Sequence, residues 1–291
     1  MISVVLPTYN RGPLLMRAVS SVLNQTYSDI ELLIVDDGSS DCTRDVVSKI
    51  DDPRVKYLYQ DVNRGACAVR NIGVNAARGE YIAFQDSDDV WYPEKLEQQL
   101  AYLQETQSDV VFCAFFRYQD GEKEGAQFPA ERVKSGRIRY ETLLAKNLIS
   151  TQTILGKREC FLAEPFNEQF PRLQDWELVL RLAKRYRMTY DNRPMVNVYL
   201  QRDSISASPQ KGLWAIERLI DDHKDALAAN SKAALGMANE YMHLARCCKR
   251  ISREKAGCLL RSMSLCDRAY FCCIQAAKGI LFYTLALLKK K

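Results

Sequence analysis

Three carboxylates crowd into four positions at Asp86, Asp88 and Asp89, where the apolar run YIAF of residues 81–84 gives way to QDSDDVW. Like charges this close raise one another's pKa and cost stability unless a cation answers them. Hard oxygen ligands of this kind suit Mn²⁺ or Mg²⁺, and a cation held by them can neutralise a diphosphate and make it a better leaving group. A calcium loop of EF-hand type fits poorly: counted from Asp86, the sixth position that should be glycine is Trp91, although Glu97 stands at the twelfth. A solvated acidic turn is the other open reading.

Further polar clusters follow other apolar runs. Asp36-Asp37-Gly38-Ser39 comes after LLIV, so that one carboxylate can accept from a base N–H or a ribose hydroxyl while Gly38 brings the backbone close. The same residues also suit a capping turn, and both readings can hold together. Tyr9, after Pro7 and Thr8, offers a ring to stack on a nucleobase, and Arg70 offers a guanidinium to a base edge or to phosphates. Asp175 precedes an amphipathic run and serves either as a helix cap or as a base.

The elements that must position these residues alternate in a βα manner. ISVVLPTYN, IELLIVDD, VKYLYQ, EYIAFQDSDD and DVVFCAFFRY read as strands, and LLMRAVSSVLNQ, TRDVVSKI, GACAVRNIGVNAA and YPEKLEQQLAYLQET as helices. This is the pattern of a parallel, doubly wound α/β sheet, in which ligands gather beyond the carboxyl ends of the strands. Three polar clusters at three strand ends match that rule. Residues 120–145 read as a polar loop. Two extended segments, LISTQTILGKREC and MVNVYLQRDSISAS, flank the helix DWELVLRLAKRY, and from about residue 210 the pattern is helical, with a domain boundary near 205.

The 291 residues are enough for two such parts, and the net charge of +5 divides unevenly between them. Residues 1–205 hold 26 basic and 29 acidic side chains, whereas residues 206–291 hold 15 and 7. With no nucleic-acid motif beside it, the basic second part points to an anionic membrane surface and away from nucleic acid. The stretch 269–288, AYFCCIQAAKGILFYTLALL, ends in Lys289, Lys290 and Lys291. Lys278 at its middle favours an in-plane helix over a spanning one, and a packing or homodimer helix stays open. MISVVLPTYN has no basic leader and the ten cysteines form no regular framework, which together suit a cytoplasmic protein with reduced thiols. His243 and Cys247 sketch a zinc site, but no Cys-x-x-Cys pair supports it.

The ordered motifs VVLPTYNR, VDDGSSD, NRGACAVRNIGVNAARGEYIAFQDSDDVWYPEKLE and LQDWELVLRLA resemble the family 2 glycosyltransferases of the GT-A fold over residues 1–205. The resemblance implies a Rossmann-like, mostly parallel sheet with a helical C-terminal extension. It implies that Pro7, Thr8, Tyr9, Asp37 and Arg70 bind the nucleoside of a sugar donor, usually uridine, and that Asp86, Ser87 and Asp88, with Asp89 beside them, hold Mn²⁺ or Mg²⁺ and the donor sugar or ribose. Asp175 stands where the family keeps its catalytic base, often written Glu-Asp, with Gln174 here replacing the Glu. Tyr199, Arg202, Ser204 and Ser206 match a basic and serine-bearing stretch of the family, which places Arg202 near the diphosphate.

The reaction so implied is an inverting transfer from a nucleotide sugar, of UDP type, to a hydroxyl of a glycan or lipid-linked glycan. Surface polysaccharide or lipopolysaccharide synthesis on the cytoplasmic face of the inner membrane would be its setting. Two rivals are weighed against it. A nucleotidyltransferase wants a glycine-rich, basic N-terminal loop, of which LPTYNRGPLL is a poor version. A non-catalytic nucleotide-sugar or glycan-binding module should lack an essential carboxylate, whereas Asp37, Asp88 and Asp175 are all retained.

Overall fold

The first two strands, β1 (Ile2–Thr8) and β2 (Ile30–Asp36), are buried along their whole length, which a strand sustains only in the middle of a sheet covered on both faces. A computed structural model describes residues 1–119, 124–130, 133–201, 208–248, 252–264, 267–268 and 271. The chain divides into two compact units. The first comprises Met1–Ile138, Leu148–Phe170 and Gln174–Ser204, and the second Arg139–Asn147, Pro171–Leu173 and Ile205–Lys291.

In the first unit the chain runs through α1 (Gly12–Leu23), α2 (Thr43–Val47), β3 (Val55–Tyr59), α3 (Ala66–Ala76), β4 (Tyr81–Phe84), β5 (Val90–Trp91), α4 (Lys95–Glu105) and β6 (Val110–Tyr118). Two short strands follow, β7 (Ala126–Phe128) and β8 (Gly136–Arg137). The unit closes with β9 (Ile154–Lys157), α6 (Arg158–Ala163), α7 (Gln174–Arg185) and β10 (Met188–Tyr199). The sheet order is β3-β2-β1-β4-β9-β6-β10-β5, with β7 on β6 and β8 on β10. β1, β2, β3 and β4 are parallel, as are β6 and β10. After β3 the chain crosses back through α3 to lay β4 on the far side of β1, so the β1/β4 boundary is the switch point where such sheets bind ligands. Gly73 lets α3 lie close on this sheet: a Cβ there would stand 2.4 Å from Val5 Cγ1.

Three features differ from the sequence expectation. β9 is antiparallel to both β4 and β6, so the sheet is mixed at its centre. The expected loop at 120–145 contains β7, β8 and a helix, α5 (Tyr140–Ala145). The turn after the β4 aspartates carries the two-residue strand β5, which pairs with β10.

The second unit contains α5 and four helices, α8 (Pro209–Asp222), α9 (Lys224–Ala229), α10 (Ser231–Cys247) and α11 (Arg253–Ser262). Its buried side chains include Leu213, Ile216, Leu219, Met237 and Tyr241, spaced along α8 and α10 as amphipathic helices require. Tyr140 Oη and His223 Nδ1 are hydrogen-bonded at 2.8 Å within it. Among the described residues, no helix is long and apolar enough to cross a membrane, and the seven cysteines are free thiols. The expected tail helix at 269–288 lies outside the described residues except for Phe271.

Candidate active site

The carboxyl ends of β1, β2 and β4 bring the polar clusters together. Pro7 and Thr8 are buried at the end of β1, and Tyr9 emerges with 47% of its surface exposed. The next residue, Asn10, donates its amide to Ser39 Oγ at 2.8 Å and accepts at Oδ1 from the Ser40 amide at 2.9 Å. The loop after β1 is thereby tied to the loop after β2.

At the end of β2 both aspartates are buried and engaged. Asp36 accepts from the Ser39 amide at 2.8 Å and from Tyr57 Oη at 2.5 Å. Asp37 accepts from the backbone amides of Arg64 at 2.6 Å and Gly65 at 2.8 Å. The expected capping role is therefore exercised at a distance: Asp37 fixes the chain entering α3, the helix that delivers Arg70. Gly38 turns the backbone between them at φ 80°, in the left-handed region that suits glycine.

Arg70 lies 6% exposed and points its guanidinium at two elements. Its Nη2 donates to Asp86 Oδ1 and its Nη1 to Gln174 Oε1, at 2.8 and 3.0 Å. Arg70 and Asp86, each expected in the site on separate grounds, are thus in direct contact, and Asp175 is one residue from the other partner. The chain enters α7 through Leu173 at φ 59°, a conformation costly for a leucine and concentrated at functional sites.

The β4 aspartates are not equivalent. Asp86 keeps about a quarter of its side chain exposed beside Arg70. Asp88 is pushed up to about 6, first by burial and then by the Asp86 charge, against the opposing charges of Arg11 and Arg17. Ser87 is buried between them. Asp89 turns inward at 2% exposure. One of its oxygens accepts from the Tyr199 amide at 2.8 Å and the other from the Gln152 side chain, while its carbonyl accepts from Gln85 Nε2 at 2.9 Å. Burial, then the Asp88 and Asp86 charges, raise it well above the usual carboxylate range. Asp89, expected in the metal set, is here buried and engaged by the protein at both oxygens.

Among the described residues no three His, Cys, Asp or Glu side chains form a metal cage. Asp86 and Asp88 are both partly exposed, unlike the buried Asp89. Two carboxylates suit Mg²⁺ or Mn²⁺, which complete their shell with water and substrate phosphate. Three buried polar atoms near these strand ends also have no protein partner: Thr8 Oγ1, Arg70 Nε and Gln85 Oε1. Buried orphans of this kind are rare and mark places where a ligand or water completes the bonding.

Asp175 is half-buried at the start of α7, where its Oδ1 accepts from the Trp176 amide at 2.8 Å. Burial pushes its carboxyl up to about 6; the Trp176 amide and Arg70 hold it down, and Asp86 adds to the rise. Such a group is ionised at neutral pH yet basic enough to take a proton in a transition state.

Sequence reasoning missed several supporting residues. Gln85 and Gln152 hold Asp89, and Arg17 donates to the Asp88 carbonyl while lying 4.1 Å over the Tyr199 ring, itself stacked on Tyr118 at 5.0 Å. Only the run of small polar residues before ILGK hinted at Gln152. The expected Arg202, Ser204 and Ser206 lie outside the described residues.

Known proteins resemble this chain in sequence and in fold. The sequence profile of glycosyl transferase family 2 matches residues 3–162. The chain is 32% identical over 246 residues to the putative colanic acid biosynthesis glycosyl transferase WcaA of Escherichia coli K12, covering 80% of this chain and 84% of WcaA. It is 32% identical over 215 residues to the Escherichia coli UDP-Glc:alpha-D-GlcNAc-diphosphoundecaprenol beta-1,3-glucosyltransferase WfgD, covering 73% of this chain and 82% of WfgD. Among solved structures, S. aureus TarS 1-349 in complex with UDP-GlcNAc superposes with a TM-score of 0.70 at 17% identity, covering 98% of this chain and 87% of that fragment. The mannosyltransferase PcManGT from Pyrobaculum calidifontis, in complex with GDP-Man and Mn²⁺, superposes with a TM-score of 0.60 at 17% identity, covering 99% of this chain and 85% of PcManGT. The carboxylates gathered at the β1/β4 switch point therefore belong to a glycosyltransferase of the GT-A fold, and the chain is a member of glycosyl transferase family 2.

Proposed function

We propose that the chain is an inverting glycosyltransferase that moves a sugar from a UDP-sugar to a hydroxyl of a lipid-linked or growing glycan in cell-surface polysaccharide synthesis. The observation that carries the reading is the link Asp86–Arg70–Gln174, which sets the donor-side carboxylates beside Asp175 at one end of the sheet. The UDP-sugar and diphosphoundecaprenol named for WfgD, and the UDP-GlcNAc bound by TarS, favour this donor and acceptor class.

In this reading Tyr9 stacks on the base, and Pro7, Thr8 and the loop fixed by Asp37 line the nucleoside. Asp86 and Asp88, with Ser87 between them, would hold Mn²⁺ or Mg²⁺, with Asp89 bracing the loop. When bound there, such a cation would supply positive charge to offset that of the leaving diphosphate. Arg70 holds Asp86 in place and adds its own charge, and the family resemblance suggests Arg202 as a further contact of the diphosphate. Asp175 takes the proton of the acceptor hydroxyl as that oxygen attacks the anomeric carbon. The bond to the diphosphate breaks on the opposite face, its electron pair leaves with the nucleotide, and the configuration inverts. Residues 1–205 would form the transferase and the basic residues 206–291 a helical extension for the cytoplasmic face of the membrane.

The test has two stages. Thermal stability in UDP, GDP, CDP and dTDP, each with and without Mn²⁺, identifies the donor nucleotide as the one giving a metal-dependent rise. With its UDP-sugar, Asp175→Asn is expected to lower kcat by about 10²- to 10⁴-fold while donor binding measured by calorimetry is retained. Equal loss of both would remove Asp175 from the role of base.

A further inference from the structure

Gln174 uses both ends of its amide. The oxygen accepts from Arg70 Nη1 at 3.0 Å, and the nitrogen donates to the Phe170 carbonyl at 3.0 Å. An amide meets both demands; a carboxylate would meet the first and set an oxygen against the Phe170 carbonyl.

The surroundings of Arg70 are equally fixed. The Phe166 ring lies 5.4 Å from its guanidinium and packs edge-on against Phe84 at 5.2 Å. The Phe166 backbone is pinned at both ends by Asn71, whose Oδ1 accepts from the Phe166 amide at 2.8 Å and whose Nδ2 donates to its carbonyl at 2.9 Å. The guanidinium is therefore held by Asp86, Gln174 and an aromatic face, and of the two polar partners one is charged and one is neutral.

That division has a consequence for catalysis, and it rests on the assignment of Asp175 as the base. Arg70 is the cation near both Asp86 and Asp175. A second carboxylate bonded to Arg70 would draw on the same charge and stand next to the base. We infer that Gln174 is a positioning residue: its neutral two-ended amide locks Arg70 against Asp86 and leaves the Arg70 charge to act on Asp175. Neutrality is as much a part of the role as hydrogen bonding, which makes the isosteric acid a revealing substitution.

The experiment compares Gln174→Glu, Gln174→Ala and Asp175→Asn in the full chain, reading kcat/KM against pH and UDP binding in Mn²⁺. Gln174→Glu is expected to move the acidic limb of kcat/KM upward by about one pH unit, because an added negative charge beside Asp175 favours its protonated form. Activity should then fall about 5-fold at pH 6 and much less at pH 8, a pattern that a general loss of structure does not produce. Gln174→Ala is expected to lower kcat/KM about 10-fold across the pH range, as loss of a hydrogen bond to a charged group does. The inference is overturned if Gln174→Glu titrates like the parent protein, or, should that variant not fold, if Gln174→Ala retains full kcat/KM. Failure of the base assignment shows separately, as turnover retained in Asp175→Asn.

Discussion

Two strand ends carry paired aspartates, and the protein treats them in opposite ways. At the end of β2, Asp36 and Asp37 each receive two hydrogen bonds from the surrounding backbone or from Tyr57. At the end of β4, Asp88 is crowded by Asp86 and by burial until its carboxyl rises to about 6. The first pair is saturated by the fold and holds loops together. In the second, Arg70 answers Asp86, but Asp88 stays crowded by burial and by the Asp86 charge despite Arg11 and Arg17, which costs stability and suits the place to a cation. Composition alone would equate the two; the difference lies in which backbone amides reach each carboxylate.

Asp88→Asn should have the largest effect. Removing a proposed cation ligand is expected to lower kcat/KM by about 100-fold or more and to abolish the Mn²⁺-dependent stabilisation by nucleotide. In the absence of metal the same variant should be at least as stable as the parent at neutral pH, because it relieves the repulsion with Asp86. A variant that lost metal-free stability in denaturant titration would show Asp88 to be a structural carboxylate like Asp37.

The pH dependence of stability sharpens the point. Asp88 has a folded-state pKa of about 6, above its ordinary value of 3.8. Between those values the folded state binds more protons than the unfolded state, so stability falls as pH rises. Metal-free thermal unfolding followed from pH 4 to pH 7 should therefore show a decline attributable to this group, reduced in Asp88→Asn. Mn²⁺ should flatten it by favouring the ionised form.

Asp37→Asn tests the saturated pair. An amide can accept from one of the Arg64 and Gly65 amides but presents a donor to the other, so a charge-assisted bond is lost and a repulsive contact appears. The expected cost is about 2–3 kcal/mol in urea unfolding, with the disturbance carried through α3 to Arg70. Unchanged stability with weakened nucleotide binding would mean that Asp37 serves the ligand alone.

The sheet was largely legible in the sequence because its parallel strands are long apolar runs ended by polar turns. β9 lies within the segment LISTQTILGKREC that reads as extended, but its antiparallel direction escaped because it is set by the distant neighbours β4 and β6. The site divides in the same way. Asp86, Asp88, Arg70 and Asp175 announce themselves by residue type and position after strands or on a helix. The inward turn of Asp89 depends on Gln152 and on the Tyr199 amide, 63 and 110 residues away along the chain. The charge-neutral partner of Arg70 was visible as Gln174, but its second bond, to the Phe170 carbonyl, exists only in the folded chain.

The mildest of these tests concerns the turn between Asp37 and the loop it braces. Gly38 has φ 80°, and a Cβ there would lie 3.2 Å from the Gln60 carbonyl oxygen. Gly38→Ala must therefore adopt a left-handed conformation and press lightly on the neighbouring chain, at a cost of about 1–2 kcal/mol. Because Asp37 and its amide partners are retained, stability should fall while the nucleotide dissociation constant changes less than that cost would imply. If instead affinity falls in proportion to stability, the backbone at Gly38 is itself a contact surface for the donor, and the saturated end of β2 shares in binding after all.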